Sequence, residues 1–153
     1  MRSFEVTDIR NFMNGLLAGS LFDEWQFRGA ELSVECKISF APLCEKNYLE
    51  EHEGDYLLWP EIREKFHALI RGRKTPAYFR LVLALAPDFV GSADVSNVDA
   101  FILNVQYEKG TLLLVTAVSD KSFSLDKEPS RLWDQLLPEL LAKKGLELRE
   151  LDD

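Results

Sequence analysis

Two alternating apolar runs joined by a short turn constrain the fold of this chain more than any other feature. The segment AFILNVQY-EKG-TLLLVTAV covers residues 100–118. Alternation with a period of two places one set of side chains on a buried sheet face. A connection that ends in glycine is typical of a β-hairpin. We therefore expect an antiparallel hairpin whose three-residue EKG loop is a type I turn followed by a glycine bulge.

Five further segments have strand patterns: SFEV, WQFRGAEL, SVECKISF, AYFRLVLALAP and KSFSLD. In SVECKISF the alternation predicts one buried face, formed by Val34, Cys36, Ile38 and Phe40. Gly29 leaves two alternatives open, a bulge or a strand that continues to Leu32. AYFRLVLALAP is apolar on both sides apart from Arg80, which predicts a central strand with both faces covered.

Three segments have the spacing of amphipathic helices, with apolar residues at i, i+3, i+4 and i+7. The first lies in TDIRNFMNGLLAGS, the second begins at Pro60 and closes at Gly72, and the third covers residues 129–144. Pro138 lies inside the third pattern and is expected to kink the helix or divide it. Between Pro42 and Leu58 the pattern is polar and aperiodic, which predicts a mobile surface loop.

These elements predict an α+β fold in the order β-α-β-β-α-β-β-β-β-α. The expected architecture is a mainly antiparallel, curved sheet of about six to seven strands with three helices on one face. The length of 153 residues suits a single domain covering residues 1–153.

Composition narrows the classes of partner and compartment. The net charge of −8 disfavours broad attraction to nucleic acid or anionic membranes. No apolar run approaches the ~20 residues that span a bilayer, and no signal peptide is evident. The only two cysteines, Cys36 and Cys44, are too few for a secreted disulfide framework. We therefore expect a cytoplasmic protein.

The segment RGRKTPAYFR gathers four cations in this acidic chain: Arg71, Arg73, Lys74 and Arg80. Two interpretations remain open. The cations near Gly72 suit the negative end of a helix dipole, and Pro76 makes the segment an ordinary helix exit. Alternatively, these four residues bind a phosphate or nucleic-acid ligand, although phosphate sites usually use helix N-termini.

The remaining candidates carry weaker signals. His67 lies at the margin of the second helix stripe, and His52 lies in an acidic loop that favours its charged form. The spacing of the cysteines and histidines matches no zinc motif, and phosphate-loop, dinucleotide and nucleophile-elbow motifs are missing. We therefore predict no metal, no cofactor and no catalytic residue. Core packing is the expected role of the three tryptophans, Trp25, Trp59 and Trp133.

Several strings resemble a family of small bacterial proteins of unknown function that is common in anaerobic gut-type bacteria. The strings are FEVTDIRNFMNGLL, LIRGRKTP with FRLVLALAP, and LNVQY with LLLVTAVS, FSLDK and LWD. A KGKRTP-like segment stands in the family where RGRKTP stands here. The family's Thr-Gly-x-Ser-like turn corresponds to Thr116–Ser119, where the glycine is missing. The resemblance implies a fold family and no activity.

The sequence therefore favours a non-catalytic, cytoplasmic interaction domain whose partner is another protein or a second copy. One alternative is a phosphate or nucleic-acid binder that uses Arg71, Arg73, Lys74 and Arg80. Another is an enzyme with a pocket near His67 or Cys36.

Overall fold

The computed structural model describes residues 1–71, 75–90 and 95–151. Seven strands are present there: β1 (Ser3–Val6), β2 (Gln26–Ser33), β3 (Lys37–Phe40), β4 (Tyr78–Leu85), β5 (Val98–Glu108), β6 (Thr111–Asp120) and β7 (Leu148–Glu150). The α-helices are α1 (Ile9–Leu17), α2 (Trp59–Ile70) and α3 (Glu128–Lys143). A short 3-10 helix covers Pro87–Phe89.

All seven strands belong to one antiparallel sheet in the order β3-β2-β4-β5-β6-β1-β7. The α+β class and the antiparallel sheet are confirmed. The sheet is open, because β3 and β7 form its two edges. A division of the chain into one domain over residues 1–153 stays a prediction.

Local chemistry explains where the helices begin. Asp8 caps α1, since its side chain accepts a hydrogen bond from the Asn11 amide at 3.1 Å. At the start of α2 the Glu61 carboxylate accepts from the Leu58 amide at 2.6 Å, next to Pro60 in the first turn. The third helix runs without a break through Pro138 from Glu128 to Lys143.

The core lies between one face of the sheet and the three helices. Phe12, Phe66 and Trp133, one from each helix, are fully buried in it. The three tryptophans lie in the core, as expected from the sequence. Two indoles also donate to backbone carbonyls: Trp59 to Leu16 and Trp133 to Ile102, each at 2.8 Å. These bonds fix α2 against α1 and α3 against β5.

The expectation that helices or loops cover β4 on both faces is wrong. Phe79, Leu81 and Leu83 are buried against the helices, but Arg80 and Val82 on the opposite face are only half-buried. β4 is nevertheless an interior strand, because β2 and β5 flank it. A run of apolar residues can therefore reflect a central position in the sheet with one face still uncovered.

The SVECKISF segment is a turn followed by a short strand. The Val34 amide donates to the Cys36 carbonyl at 3.1 Å, and β3 begins only at Lys37. Cys36 is therefore exposed, against the prediction, while Cys44 is buried and both thiols are free. Both alternatives for Gly29 hold: its φ of +125° lies within the register shift of β2, and the strand continues to Ser33.

The hairpin over residues 100–118 is confirmed, but its turn differs from the expected one. Glu108 pairs with Thr111, which leaves the two-residue loop Lys109–Gly110. Both residues have positive φ, +52° and +80°, the signature of a type I′ turn. This turn matches the twist of the strands, whereas the predicted bulge would need a third residue.

The strand expected in KSFSLD is wrong. The Lys121 amide donates to the Asn97 carbonyl at 2.7 Å, and Ser122 and the Asn97 side chain exchange hydrogen bonds at 2.8 and 2.9 Å. These contacts turn the chain away from the ladder after β6. The seventh strand follows the last helix instead, as β7. Among the described residues, no helix is long and apolar enough to cross a membrane.

Candidate functional site

The sheet face opposite the helices carries a group of partly exposed apolar side chains, and we call it the open sheet face. Its centre consists of apolar side chains on three neighbouring strands: Val82, Ala84, Ile102, Leu113, Val115 and Ala117. All except Ala84 are half-buried. The four larger side chains, Val82, Ile102, Leu113 and Val115, belong neither to the core nor to the residues packed against it.

The strand register brings these side chains into contact with one another. Ala84 pairs with Ile102, and Ile102 pairs in turn with Ala117. In the next row Asn104 separates Val82 from Val115. Side chains that are directly opposite on antiparallel strands have Cβ atoms ~5 Å apart, so these residues form an apolar patch that surrounds the Asn104 side chain.

Arg80 lies beside this patch and is, of the two predicted site residues that the structure describes, the one on the open sheet face. It pairs in register with Glu31 on one side and Gln106 on the other. The ion pair of Glu31 is made with Lys37, at 3.8 Å, and not with Arg80. Within the described residues, Arg80 forms no ion pair or side-chain hydrogen bond. A half-buried guanidinium with unused donors is available to a ligand or a partner surface.

Arg28 lies toward the other end of the same face but has intramolecular partners. Its guanidinium lies 3.7 Å from the ring centroid of Tyr56 and donates to Gln26 at 2.9 Å. Asp99 lies 3.9 Å away. The short side chain of Ala84, which pairs with Gln26, leaves room for these contacts. Arg28 thus fixes Tyr56 over one corner of the open sheet face.

The structure does not bring Arg71 and Arg80, the two described cations of the predicted site, together. Arg71 is exposed at the C-terminal end of α2, on the helix side of the sheet, whereas Arg80 is on the open sheet face. Arg73 and Lys74 lie outside the described residues. A site that includes both Arg71 and Arg80 would therefore have to extend around the edge of the sheet.

His52 is a residue whose contacts the sequence did not reveal. Its Nε2 lies 2.9 and 3.0 Å from the two carboxylate oxygens of Glu61, and its side chain is only 12% exposed. The hydrogen bond with Glu61 raises the pKa of His52, as does the Gly54 carbonyl. The pKa of Glu61 is lowered, because His52 and the Leu58 amide together outweigh the desolvation of the carboxylate. We call this contact the His52–Glu61 latch.

The latch borders a cleft of about 400 Å³ whose lining includes Gln26, Tyr56 and Leu58. Neither ring nitrogen of His52 faces this cleft with a free position for a ligand in this arrangement. Nε2 is occupied by Glu61, and Nδ1 is buried without a hydrogen-bond partner of standard geometry. A general base needs a ring nitrogen within hydrogen-bond reach of its substrate. The latch therefore fixes the loop over residues 42–58 to the start of α2.

The two residues of the enzyme alternative lie on separate elements. His67 is half-buried on α2 and lines a groove with Arg63 and Arg71, while Cys36 is exposed in the turn before β3. No hydrogen bond joins the two side chains in the part of the chain that the structure describes. The described ranges also contain no group of three His, Cys, Asp or Glu residues that could hold a metal ion.

The described fold and its exposed face define a class: an α+β protein with one seven-stranded antiparallel sheet and helices packed on one side of it. Residues 15–149 match the family of unknown function DUF5721, and the chain belongs to that family. No curated protein and no solved structure matches the chain.

Proposed function

We propose that this protein is a non-catalytic interaction domain whose open sheet face binds a second copy of the chain. The observation that carries the proposal is the apolar centre of this face, where Val82, Ile102, Leu113 and Val115 are half-buried and do not belong to the core or to the residues packed against it. Contiguous apolar surface without an intramolecular partner is typical of protein interfaces. The face would pair with its own copy across a two-fold axis, the commonest symmetry of homo-oligomers.

The size of the face fits such an interface. The four longest strands, β2, β4, β5 and β6, are neighbours in the sheet and have 8, 8, 11 and 10 residues. At ~3.3 Å per residue and ~4.8 Å between strands, they present roughly 500 Å² in projection. The shorter flanking strands and the relief of the side chains bring the face toward the ~800 Å² that each partner buries in a standard interface.

The charges on the face suit self-association better than binding to a strongly charged partner. Arg80 has no ion pair within the described residues, while Glu31 in the neighbouring register position carries the opposite sign. A surface with both signs can pair with a rotated copy of itself. The net charge of −8 on each chain opposes association at long range. The apolar centre is therefore the main expected source of affinity.

Sedimentation equilibrium of the purified chain, at concentrations up to about 100 µM, tests this proposal. We expect a monomer–dimer equilibrium that shifts toward the dimer between about 50 mM and about 500 mM NaCl, because salt screens the repulsion of like-charged chains. Val115→Glu should give a monomer, since Val115 lies in the patch between the neutral residues Asn104 and Ser3. Circular dichroism checks that the variant folds.

The matched control is Leu125→Glu, which adds the same charge at a side chain that is 77% exposed and lies outside the sheet. It should leave the equilibrium unchanged. A wild-type chain that stays monomeric under all these conditions contradicts the proposal. So does a dimer that both variants weaken equally, because its interface would then lie elsewhere or be non-specific.

A second candidate function is the binding of a phosphate or nucleic-acid ligand through Arg71, Arg73, Lys74 and Arg80. Its support is that neither Arg71 nor Arg80 has a described ion pair. Binding of this kind weakens with rising salt, because phosphate contacts release counterions. Titration with a single-stranded oligonucleotide should show this dependence in the wild type and lose it in the Arg73→Glu, Lys74→Glu double variant. Salt-independent binding, or none, contradicts it.

We propose that the protein is located in the cytoplasm of bacteria, in anaerobic gut-type species. The supporting features are the free thiols of Cys36 and Cys44, the net charge of −8 and the strings that carry the family resemblance. Fractionation of a producing bacterium should recover the chain with the cytoplasmic fraction. Recovery with the membrane or the secreted fraction contradicts the proposal.

A further inference from the structure

A groove of about 570 Å³ lies between the C-terminal end of α1 and the outer side of α2. Leu17 and Ala18 line its α1 wall, and Arg63, His67, Ala68 and Arg71 are on its α2 wall. This groove is on the helix side of the molecule. It is therefore separate from the open sheet face, and a ligand bound here would act independently of self-association.

The basic residues of the groove follow a helical row. Arg63, His67 and Arg71 are spaced four residues apart on α2, a spacing that places them on one side of the helix. With a rise of 1.5 Å per residue, the row extends over roughly 12 Å. Three nitrogen-bearing side chains thus follow one wall of the groove, in a chain whose net charge is −8.

Arg63 is held in place at one end of the row. Its Nη1 donates to the Gly19 carbonyl at 2.7 Å and to Asp23 at 2.6 Å. A guanidinium has five N–H donors, so Nε and Nη2 remain unused in this arrangement. The bonds to Gly19 and Asp23 orient these remaining donors and reduce the entropy lost when a ligand binds.

At the other end, Arg71 and His67 have side chains without described hydrogen bonds or ion pairs. The carboxyl end of a helix repels anions, so the last turn of α2 alone would be a poor anion site. The Arg71 charge lies at that end and offsets the dipole there. Asp23 neutralises Arg63, and Glu64 and Lys65 at the groove balance each other. The net positive charge of the groove therefore comes from Arg71.

We infer that this groove binds an organic phosphate. The planar forks of Arg63 and Arg71 match phosphate oxygens, which accept paired N–H bonds. Leu17, Ala18 and Ala68 supply apolar surface for the organic part of the ligand. A ligand with two linked phosphates is long enough to reach from Arg71 toward His67 along the row.

Isothermal titration of the full chain with two probes, inorganic pyrophosphate and adenosine diphosphate, tests the inference. Both should bind, and the nucleotide should bind more tightly because it also covers the apolar wall. Arg71→Gln should lower the affinity for each probe by about tenfold, as expected for the loss of one charge-assisted contact. Since Arg71 is exposed and has no described ion pair, this variant should fold like the wild type.

Arg10→Gln is the matched control, because Arg10 is an exposed arginine of α1 that does not line the groove. It should leave both affinities unchanged. The inference is overturned if neither probe binds at millimolar concentration, or if both variants weaken binding equally. Citrate that binds as tightly as pyrophosphate would overturn the assignment to phosphate.

Discussion

The imidazole Nε2 of His52 lies between the two carboxylate oxygens of Glu61, at 2.9 and 3.0 Å. The same carboxylate accepts a hydrogen bond from the Leu58 amide at 2.6 Å. One side chain therefore completes the first turn of α2 and holds the loop that precedes it. Since residues 57 and 58 also pair with the first part of β2, the His52–Glu61 latch couples this loop to the sheet.

We expect the free energy of unfolding to depend on pH through the latch. The pKa of His52 is raised above 6.5, so the contribution of the histidine is complete below pH 6.5 and disappears as pH rises through the folded pKa. The pKa of Glu61 is lowered below 4.5, so its contribution is complete above pH 4.5 and disappears as pH falls. The latch should be strongest between these two values. Urea denaturation at a series of pH values measures this dependence.

His52→Gln supplies the control for the alkaline side of that profile. Glutamine can still donate to Glu61 but does not titrate, so the difference from the wild type should shrink as pH rises above 6.5. Glu61→Gln should remove the pH dependence on both the acid and the alkaline side, because it removes the carboxylate that titrates at low pH and that raises the pKa of His52. A difference between the wild type and His52→Gln that is constant from pH 5 to pH 8 would contradict a titrating latch.

Thr116 is the buried polar residue of the described core, and we expect Thr116→Val to destabilise the fold. The Thr116 hydroxyl accepts from the Arg2 amide at 2.9 Å and donates to Asp134 on α3. Valine preserves the shape but leaves the partly buried Arg2 amide without this acceptor and Asp134 without this donor, which costs about 1 kcal/mol. Thr111→Val on the same strand changes an exposed threonine and should stay within about 0.5 kcal/mol of the wild type. Equal effects of the two changes would contradict the structural role of the Thr116 hydroxyl.

Local periodicity predicted the elements whose side chains meet the core directly. Phe12 and Leu16 show the spacing of a helix with one buried face, and both are fully buried on α1. Leu112 and Leu114 show the spacing of a strand and are likewise fully buried on β6. In these segments the local pattern and the tertiary contacts favour the same structure, which is why the sequence was sufficient.

The features that the sequence did not predict depend on partners distant in the chain. KSFSLD alternates like a strand, but Asn97 binds Ser122 and the Lys121 amide, 25 and 24 positions away. The partly exposed face of β4 could not be inferred from the sequence, because an apolar pattern does not show whether a helix or loop packs on each face of a strand. The latch joins His52, in the loop, to Glu61, in the first turn of α2. The two residues belong to no sequence motif that indicates this contact.

The β5–β6 turn predicts a stabilising substitution. Lys109 has a φ of +52°, and the type I′ turn that it forms with Gly110 favours Asn-Gly. Lys109→Asn should raise the free energy of unfolding by a few tenths of a kcal/mol, because asparagine occupies the left-handed region more readily than lysine. Gly110→Ala, at a φ of +80°, should lower it by about 1 kcal/mol. Thermal or urea unfolding measures both, and a destabilised Lys109→Asn variant would contradict the I′ geometry.

The indole of Trp59, on α2, stabilises the C-terminal end of α1. We therefore expect the loss of this indole to lower the free energy of unfolding by more than the loss of side-chain volume alone. The Leu16 carbonyl lies in the last turn of α1, where carbonyls lack partners within the helix, and it accepts from the Trp59 indole at 2.8 Å. Trp59→Phe should leave this buried carbonyl unpaired and cost about 1–3 kcal/mol in addition to the cavity.

Trp25→Phe is the matched comparison for Trp59→Phe. Trp25 is also buried, with 2% exposure, but its indole forms no hydrogen bond within the described ranges. Both changes remove the same atoms, so the excess destabilisation of Trp59→Phe in urea unfolding isolates the contribution of the hydrogen bond. Hydrogen exchange should locate the additional loss at the α1 end near Leu16, where the fold would open first. An equal loss of stability in the two variants would mean that Trp59 acts through packing alone.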